Sequence, residues 1–368
     1  MSKSKFLSFV FCIIALIVGI VVGFSGYALA NSPESDKLFK IASGDLSVHF
    51  LELGNKYAGD CIYVKANETD ILIDAGSRQN SITTIKSYVN NYCTDNTLEY
   101  VIATHAHQDH IAAFSSTQDR KGVFAEYEVE NIIDFGTATK YERNGASKTQ
   151  VYEKYLAERN EEINNGAKHI AVSDYNETGF QKEFDLGSGI TLTILDNYYY
   201  YNQTSNENNY SVCILLSNGS DNILLTGDLE DEGEDKLVEL NPNLPECSLF
   251  KAAHHGSYTG SGNTLLNKVK PKNVVFTCVA GATEYTSVLN NTFPAQAAID
   301  RIANYTKNVY VTSLCIDYDN GKYESMNGDI MFVFNKSGMR VTCTNNSTFL
   351  KDTEWFKNNR TTPTAWAS

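Results

Sequence analysis

The chain has 368 residues, 42% of them hydrophobic and 20% charged, with only 6 prolines. That profile excludes a disordered chain, a collagen-like chain and a polytopic membrane protein, and it leaves room for one large domain or two small ones. Lys and Arg number 30 against 44 Asp and Glu, a net charge of −14 that argues against general nucleic-acid affinity, which needs clustered cations to neutralise phosphates.

Lys3 and Lys5 precede an apolar run over residues 6–24, and Ala28-Leu29-Ala30 follows it. A basic region, a hydrophobic stretch and an A-x-A pattern read as a signal peptide over residues 1–30. The apolar run is also near bilayer-spanning length, so an uncleaved N-terminal membrane anchor is the alternative. Both readings put residue 31 onward outside the cytoplasm. Without Lys3 and Lys5 the exported part carries 28 − 44 = −16. Of the eight cysteines, Cys12 lies in the apolar run, and the other seven are widely spaced with no C-x-x-C pair. They read as small buried hydrophobes rather than a disulfide framework, with one or two disulfides left open.

Strand and helix signals then alternate. Strands are predicted at Leu46–Leu51, Cys61–Val64, Ile71–Ile73 and Tyr100–Ala103, with a helix at Ser81–Tyr92. Lys148–Ile163 reads as a charged surface helix, and Lys168–Val172 as a strand after its end. Further strands are predicted at Ile190–Leu195, Val212–Leu216, Asn222–Leu225, Leu249–Ala252, Asn273–Cys278, Asn308–Thr312 and Asp329–Phe334. Helices are predicted at Asp231–Leu240 and Ala295–Tyr305. Strands in two halves with helices between them suggest an α/β protein in which two sheets pack face to face under outer helices. Residues 351–368 read as a loose polar tail.

Three segments carry chemistry. His105-Ala106-His107-Gln108-Asp109-His110 follows an apolar strand and sets four potential metal ligands within six residues. Imidazole and carboxylate suit zinc, iron or manganese. A second strand ends in Gly227-Asp228, whose carboxylate can bridge two cations. A third ends in His254-His255-Gly256-Ser257. His49, within a strand, reads as structural, and the Tyr198–Tyr201 run as a packed loop. The acidic stretch Glu230–Glu234 reads as an exposed first turn of a helix.

In this order the segments resemble the metallo-β-lactamase superfamily, in particular its ComEC-type hydrolases and teichoic-acid phosphorylcholine esterases. Gly59-Asp60-Cys61, Ile73-Asp74-Ala75-Gly76, Asn208-Asn209-Tyr210-Ser211 and Gly328-Asp329-Ile330 extend the match along the chain. The resemblance implies an αββα sandwich over residues 31–350 with its metal site at the strand ends along one edge. It implies that His105 and His107 hold one cation, that Asp109 and His110 hold a second, and that Asp228 bridges them. Successive residues at a strand end point to opposite sides, so only one of His254 and His255 completes the second site, and His254 is preferred. Asp74 would orient a ligand histidine.

Two departures from the family pattern stand out. The further histidine usual at the first cation is missing, since His169 reads as an ordinary residue, and its place falls near Asn208 and Asn209. The Glu52–Asp60 loop carries extra residues. The expected activity is an exported, zinc-dependent hydrolase, with manganese or iron as alternatives, cleaving a small-molecule or envelope-polymer phosphodiester with a metal-activated water. Asp109 would pass a proton to the leaving group, and Gly256 and Ser257 would hold an anionic oxygen. A ComEC-like nuclease and a non-catalytic metal-binding module are the competing readings.

Overall fold

The computed structural model describes residues 41–367, so the predicted export segment of residues 1–30 lies outside the described part. Strand residues alternate between faces, and in this chain both faces are buried. In β1 (Leu46–Phe50), Leu46, Val48 and Phe50 enter a core shared by two sheets, whereas His49 turns the other way and bonds Tyr88 of helix α1 (Ile82–Val89). The same division recurs in β3 (Thr69–Ile73), where Ile71 and Ile73 join the inter-sheet core and Leu72 joins the core under the helices.

The first sheet contains β1, β2 (Ile62–Ala66), β3, β4 (Thr97–Ile102), β5 (Glu128–Asp134) and β6 (Lys168–Ala171). The second runs from β7 (Glu183–Asp185) through β8 (Ile190–Ile194), β9 (Ile214–Asn218), β10 (Asp221–Leu225), β11 (Leu249–Lys251), β12 (Val274–Ala280) and β13 (Val309–Asp317) to β14 (Lys322–Ser325). The chain then returns to the first sheet as β15 (Ile330–Asn335), beside β1, and β16 (Gly338–Cys343) at the edge. Each sheet has eight strands and mixes parallel and antiparallel pairs, and β3 to β6 and β10 to β13 are the parallel runs. Parallel neighbours put consecutive loops on one edge.

Besides α1, the helices that matter here are α2 (Gln108–Ile111), α3 (Gln150–Asn165), α4 (Asp231–Leu240), α5 (Asn263–Val269), α6 (Gln296–Ala303) and α7 (Glu354–Asn359). Helix α3 starts where the Thr149 side chain accepts from Tyr152 N and stops at Gly166, whose φ of 123° is open to glycine. Strands β5, β7, β14 and β16 went unpredicted because charged residues interrupt their apolar pattern, and β7, β14 and β16 are edge strands, which carry charge without cost. Residues 351–367 are not a loose tail. Phe356 and Trp366 are buried in the core around β12 and α6, Trp366 Nε1 donates to Thr306 O at 2.9 Å, and Arg360 donates to Thr292 O and Pro294 O. Two aromatic anchors suffice to dock a segment whose average composition is polar. All seven cysteines among the described residues are unpaired, and five are buried.

Candidate metal centre

Four strand ends, two from each sheet, meet on one edge. β3 runs into Asp74, β4 into Thr104-His105, β10 into Gly227-Asp228 and β11 into the His254-His255 turn. The first sheet's loops interlock through backbone bonds. Ala75 N donates to His110 O at 2.7 Å, Asp60 N donates to Asp109 O at 3.0 Å, and Gly76 N donates to Asp60 O at 2.9 Å. The approach is so close that a Cβ on Gly76 would fall 1.5 Å from the Asp109 carbonyl oxygen. Gly76 is therefore required by contact and not by its φ.

Asp109, His110, Asp228 and His255 each offer a ligand atom, and these atoms lie within 4.8 Å of one another. His110 Nδ1 donates to Asp74 Oδ2 at 2.7 Å, and its Nε2 lies 3.0 Å from Asp228 Oδ2. His255 Nδ1 donates to Thr277 O at 3.0 Å, and its Nε2 lies 3.3 Å from Asp228 Oδ2 and 3.5 Å from Asp109 Oδ2. Both Nε2 atoms are buried without a hydrogen bond. With Nδ1 of each ring committed to its acceptor, Nε2 is the atom turned to the carboxylates, the orientation a metal ligand needs once a cation replaces the proton there. These residues fit a divalent cation.

The electrostatics agree. Burial opposes charge on His110, yet Asp228 and Asp74 outweigh it and push its pKa up to about 10. His255 is raised for the same reason, by Asp228 and Asp60 against burial. Asp109 and Asp228 stay well below the usual carboxylate range despite burial, because these imidazoles face them. The site demands positive charge among its carboxylates.

The second donor set is His105 and His107. His105 Nε2 and His107 Nδ1 are 3.0 Å apart, and the His105 ring centre is 4.2 Å from that of His110. Burial, then His110, lowers the His105 pKa well below normal, so it is a neutral donor. Ser211 Oγ lies 3.4 Å from His105 Nδ1, which brings the Asn208–Ser211 turn to this side. Asn208 Oδ1 is buried with no hydrogen bond, while its Nδ2 donates to Glu230 Oε1 at 2.8 Å. Asn209 is committed elsewhere, accepting from Glu230 N. His169 bonds Asp134 Oδ1 at 2.8 Å, beside Arg159, and belongs to no ligand cluster among the described residues.

Three expectations need correction. The structure puts His255, not His254, in the ligand cluster. His254 faces Glu230 Oε1 at 3.1 Å, and its Nε2 is 3.9 Å from Asp228 Oδ2. Only one of the pair joins the cluster, but strand geometry could not choose which, because β11 ends at Lys251 and His254 and His255 both adopt left-handed backbone, with φ of 48° and 54°. Ser257 is also engaged within its own turn and not free for substrate. Ser257 N donates to His254 O, its hydroxyl pairs with Thr259 Oγ1, and Gly256 packs where a Cβ would strike the Phe276 ring. Glu230–Glu234 does open α4, with Asp231 and Glu232 exposed, but Glu234 departs from the expectation. Glu234 is buried and accepts from Ser261 N and Gly262 N, ahead of α5.

Three residues gained no role from the sequence. Asp60 takes Thr277 Oγ1 on Oδ1, and its Oδ2 lies 2.5 Å from Lys251 Nζ. Lys251 is fully buried at the centre. Burial opposes its charge, but Asp60 and Asp228 prevail and raise its pKa. Tyr285, from the β12–α6 loop, donates to Asp109 Oδ2 at 2.9 Å while its side chain stays exposed. A Lys inside an apolar strand was the one available signal.

Two packed mixed sheets under helices, with paired His and Asp donors at one edge, define a metal-dependent hydrolase of the metallo-β-lactamase type. Residues 54–165 match the Metallo-beta-lactamase superfamily, and the chain is similar to the ComEC-type branch of that superfamily. It is 32% identical to the ComE operon protein 3 of Bacillus subtilis over 71 residues, 19% of this chain and 9% of that protein. It is 34% identical to the recombination protein 2 of Haemophilus influenzae over 68 residues, 18% of this chain and 8% of that one. The matches thus span about a tenth of these relatives' length. Among solved structures, the metallo-beta-lactamase fold protein YhfI from Bacillus subtilis aligns over 73% of this chain and 95% of its own, with 14% identity and a TM-score of 0.40. The long form RNase Z from yeast aligns over 68% and 40%, with 14% identity and a TM-score of 0.41.

Proposed function

We propose that the protein is an exported phosphodiesterase that uses two cations, zinc by preference and manganese or iron as alternatives, on a small-molecule or envelope-polymer phosphodiester. The observation that supports it most is the cluster of Asp109, His110, Asp228 and His255, with the His105–His107 pair lying beside it against His110. Cations held there acidify water and take up charge on substrate oxygens, an effect worth several kcal/mol.

The chain's own residues set up that chemistry. Asp74 and the Thr277 carbonyl fix the tautomers of His110 and His255. Asp109 remains ionised, and burial together with the Asp109 charge raises the Tyr285 pKa, so the phenol keeps its proton. The Asp109–Tyr285 pair thereby holds one proton at the exposed side of the site, where a leaving oxygen needs it. A β-lactam needs its nucleophile fixed by the first cation, and His105 and His107 lack the usual third histidine. Export rests on the basic, apolar and A-x-A pattern of residues 1–30.

The test is turnover of bis-p-nitrophenyl phosphate at pH 7–8 with added Zn²⁺ or Mn²⁺. Activity should vanish with chelator and in Asp109→Ala, with a cephalosporin turned over much more slowly. Efficient cephalosporin hydrolysis without phosphodiesterase activity would overturn the reading, and preference for single-stranded DNA would favour the nuclease. A reporter fused after Ala30 should appear outside the cytoplasm.

A further inference from the structure

We propose that Lys251 is a positioning residue that restricts Asp228 to one free oxygen and so forces two cations to share it. Lys251 Nζ is fully buried and meets three acceptors, the Gly227 carbonyl at 3.0 Å, Asp60 Oδ2 at 2.5 Å and Asp228 Oδ1 at 3.3 Å. Two of its three N–H donors go to Gly227 O and Asp228 Oδ1, and Asp60 Oδ2 faces the ammonium as an ion pair. The Asp228 carboxylate is thereby divided. Its Oδ1 belongs to Lys251, and its Oδ2 faces His110 Nε2 at 3.0 Å and His255 Nε2 at 3.3 Å.

A carboxylate with two free oxygens gives one to each cation and lets them stand apart. With Oδ1 held by Lys251, Oδ2 would be the readier ligand atom for any cation here, so two cations would be drawn toward the same oxygen. Lys251 also sets the charge of the centre. Counted formally, Asp60, Asp74, Asp109 and Asp228 carry −4 and Lys251 +1, so 1 − 4 = −3. One dication leaves −1, and two leave +1, the sign that attracts an anionic substrate. Asp60, the other carboxylate on Lys251, anchors the ammonium from the first sheet through Thr277 Oγ1 and its own N–H to Asp109 O.

This inference rests on the two-cation part of the proposed function and not on its substrate, so the readout is metal binding. Wild type, Lys251→Met and Lys251→Met/Asp60→Asn are loaded with Mn²⁺, and the double variant removes the second buried charge so that the fold is kept. Electron paramagnetic resonance of the wild type should show an exchange-coupled pair. In whichever variant keeps the wild-type circular dichroism, the coupling should disappear and the second Mn²⁺ should bind about tenfold or more weakly, with the first little changed. A coupled spectrum and wild-type affinity in a folded variant would refute the role of Lys251. A wild type that binds a single Mn²⁺ would refute the two-cation reading with it, whereas absent phosphodiesterase activity would leave both standing.

Discussion

Replacing Asp74 by Asn tests the histidine tautomer on which the Asp109–His110–His255 donor set depends. Asp74 Oδ1 accepts from Thr104 N at 2.7 Å, and Oδ2 accepts from Thr104 Oγ1 at 2.8 Å and from His110 Nδ1 at 2.7 Å. A backbone N–H cannot reverse, so an Asn must set its Oδ1 against Thr104 N and its NH₂ against His110. Threonine tolerates this, because a hydroxyl can accept as well as donate. His110 must then accept at Nδ1, which moves its proton to Nε2, the atom that faces Asp228 Oδ2 at 3.0 Å. The backbone adds no strain, since Asp74 sits at φ 60° and Asn adopts that region at least as readily.

Restoring the ligand tautomer in that variant sets two donors against each other. Losing such an orienting partner weakens metal binding by about 10–100-fold, roughly 1.4–2.7 kcal/mol. Competition with a chromophoric chelator should show that loss for the second metal only, and ¹⁵N shifts of the His110 ring should report a proton on Nε2. Affinity within threefold of wild type, with Nδ1 still protonated, would refute the argument.

Other substitutions separate neighbouring roles. His255→Ala should lose the second equivalent of metal, while His254→Ala should keep both, as measured by elemental analysis. Tyr285→Phe should lower kcat on an aryl phosphodiester by about tenfold or more without changing metal content, the size expected for one hydrogen-bond donor at a developing charge. Burial lowers the His49 pKa from 6.5 to about 3, so below pH 6.5 the unfolded chain binds a proton that the folded chain refuses. Stability should fall by up to about 1.4 kcal/mol per pH unit as acidity increases over that window. Urea midpoints at pH 7 and pH 5 should therefore differ less in His49→Gln than in wild type.

What could be read from the sequence follows a physical division. His105, His107, Asp109, His110 and Asp228 were legible because each follows an apolar strand, and a strand end fixes where a short loop delivers its side chains. Asp74 was legible for the same reason, although its role depends on His110, 36 residues away. The choice between His254 and His255 was not legible, because strand alternation had lapsed at Lys251 and left-handed backbone set both rings. Lys251 itself gained no role from the sequence. Its actual partners, Asp60 and Asp228, are brought together only when the two sheets close, and sequence spacing holds no trace of that closure. Ligands that a metal selects thus follow local rules, whereas the residues that orient and neutralise those ligands are chosen by tertiary contact. The same reasoning explains the C-terminal segment, where Phe356 and Trp366 gain meaning only from the core of β12 and α6 that receives them.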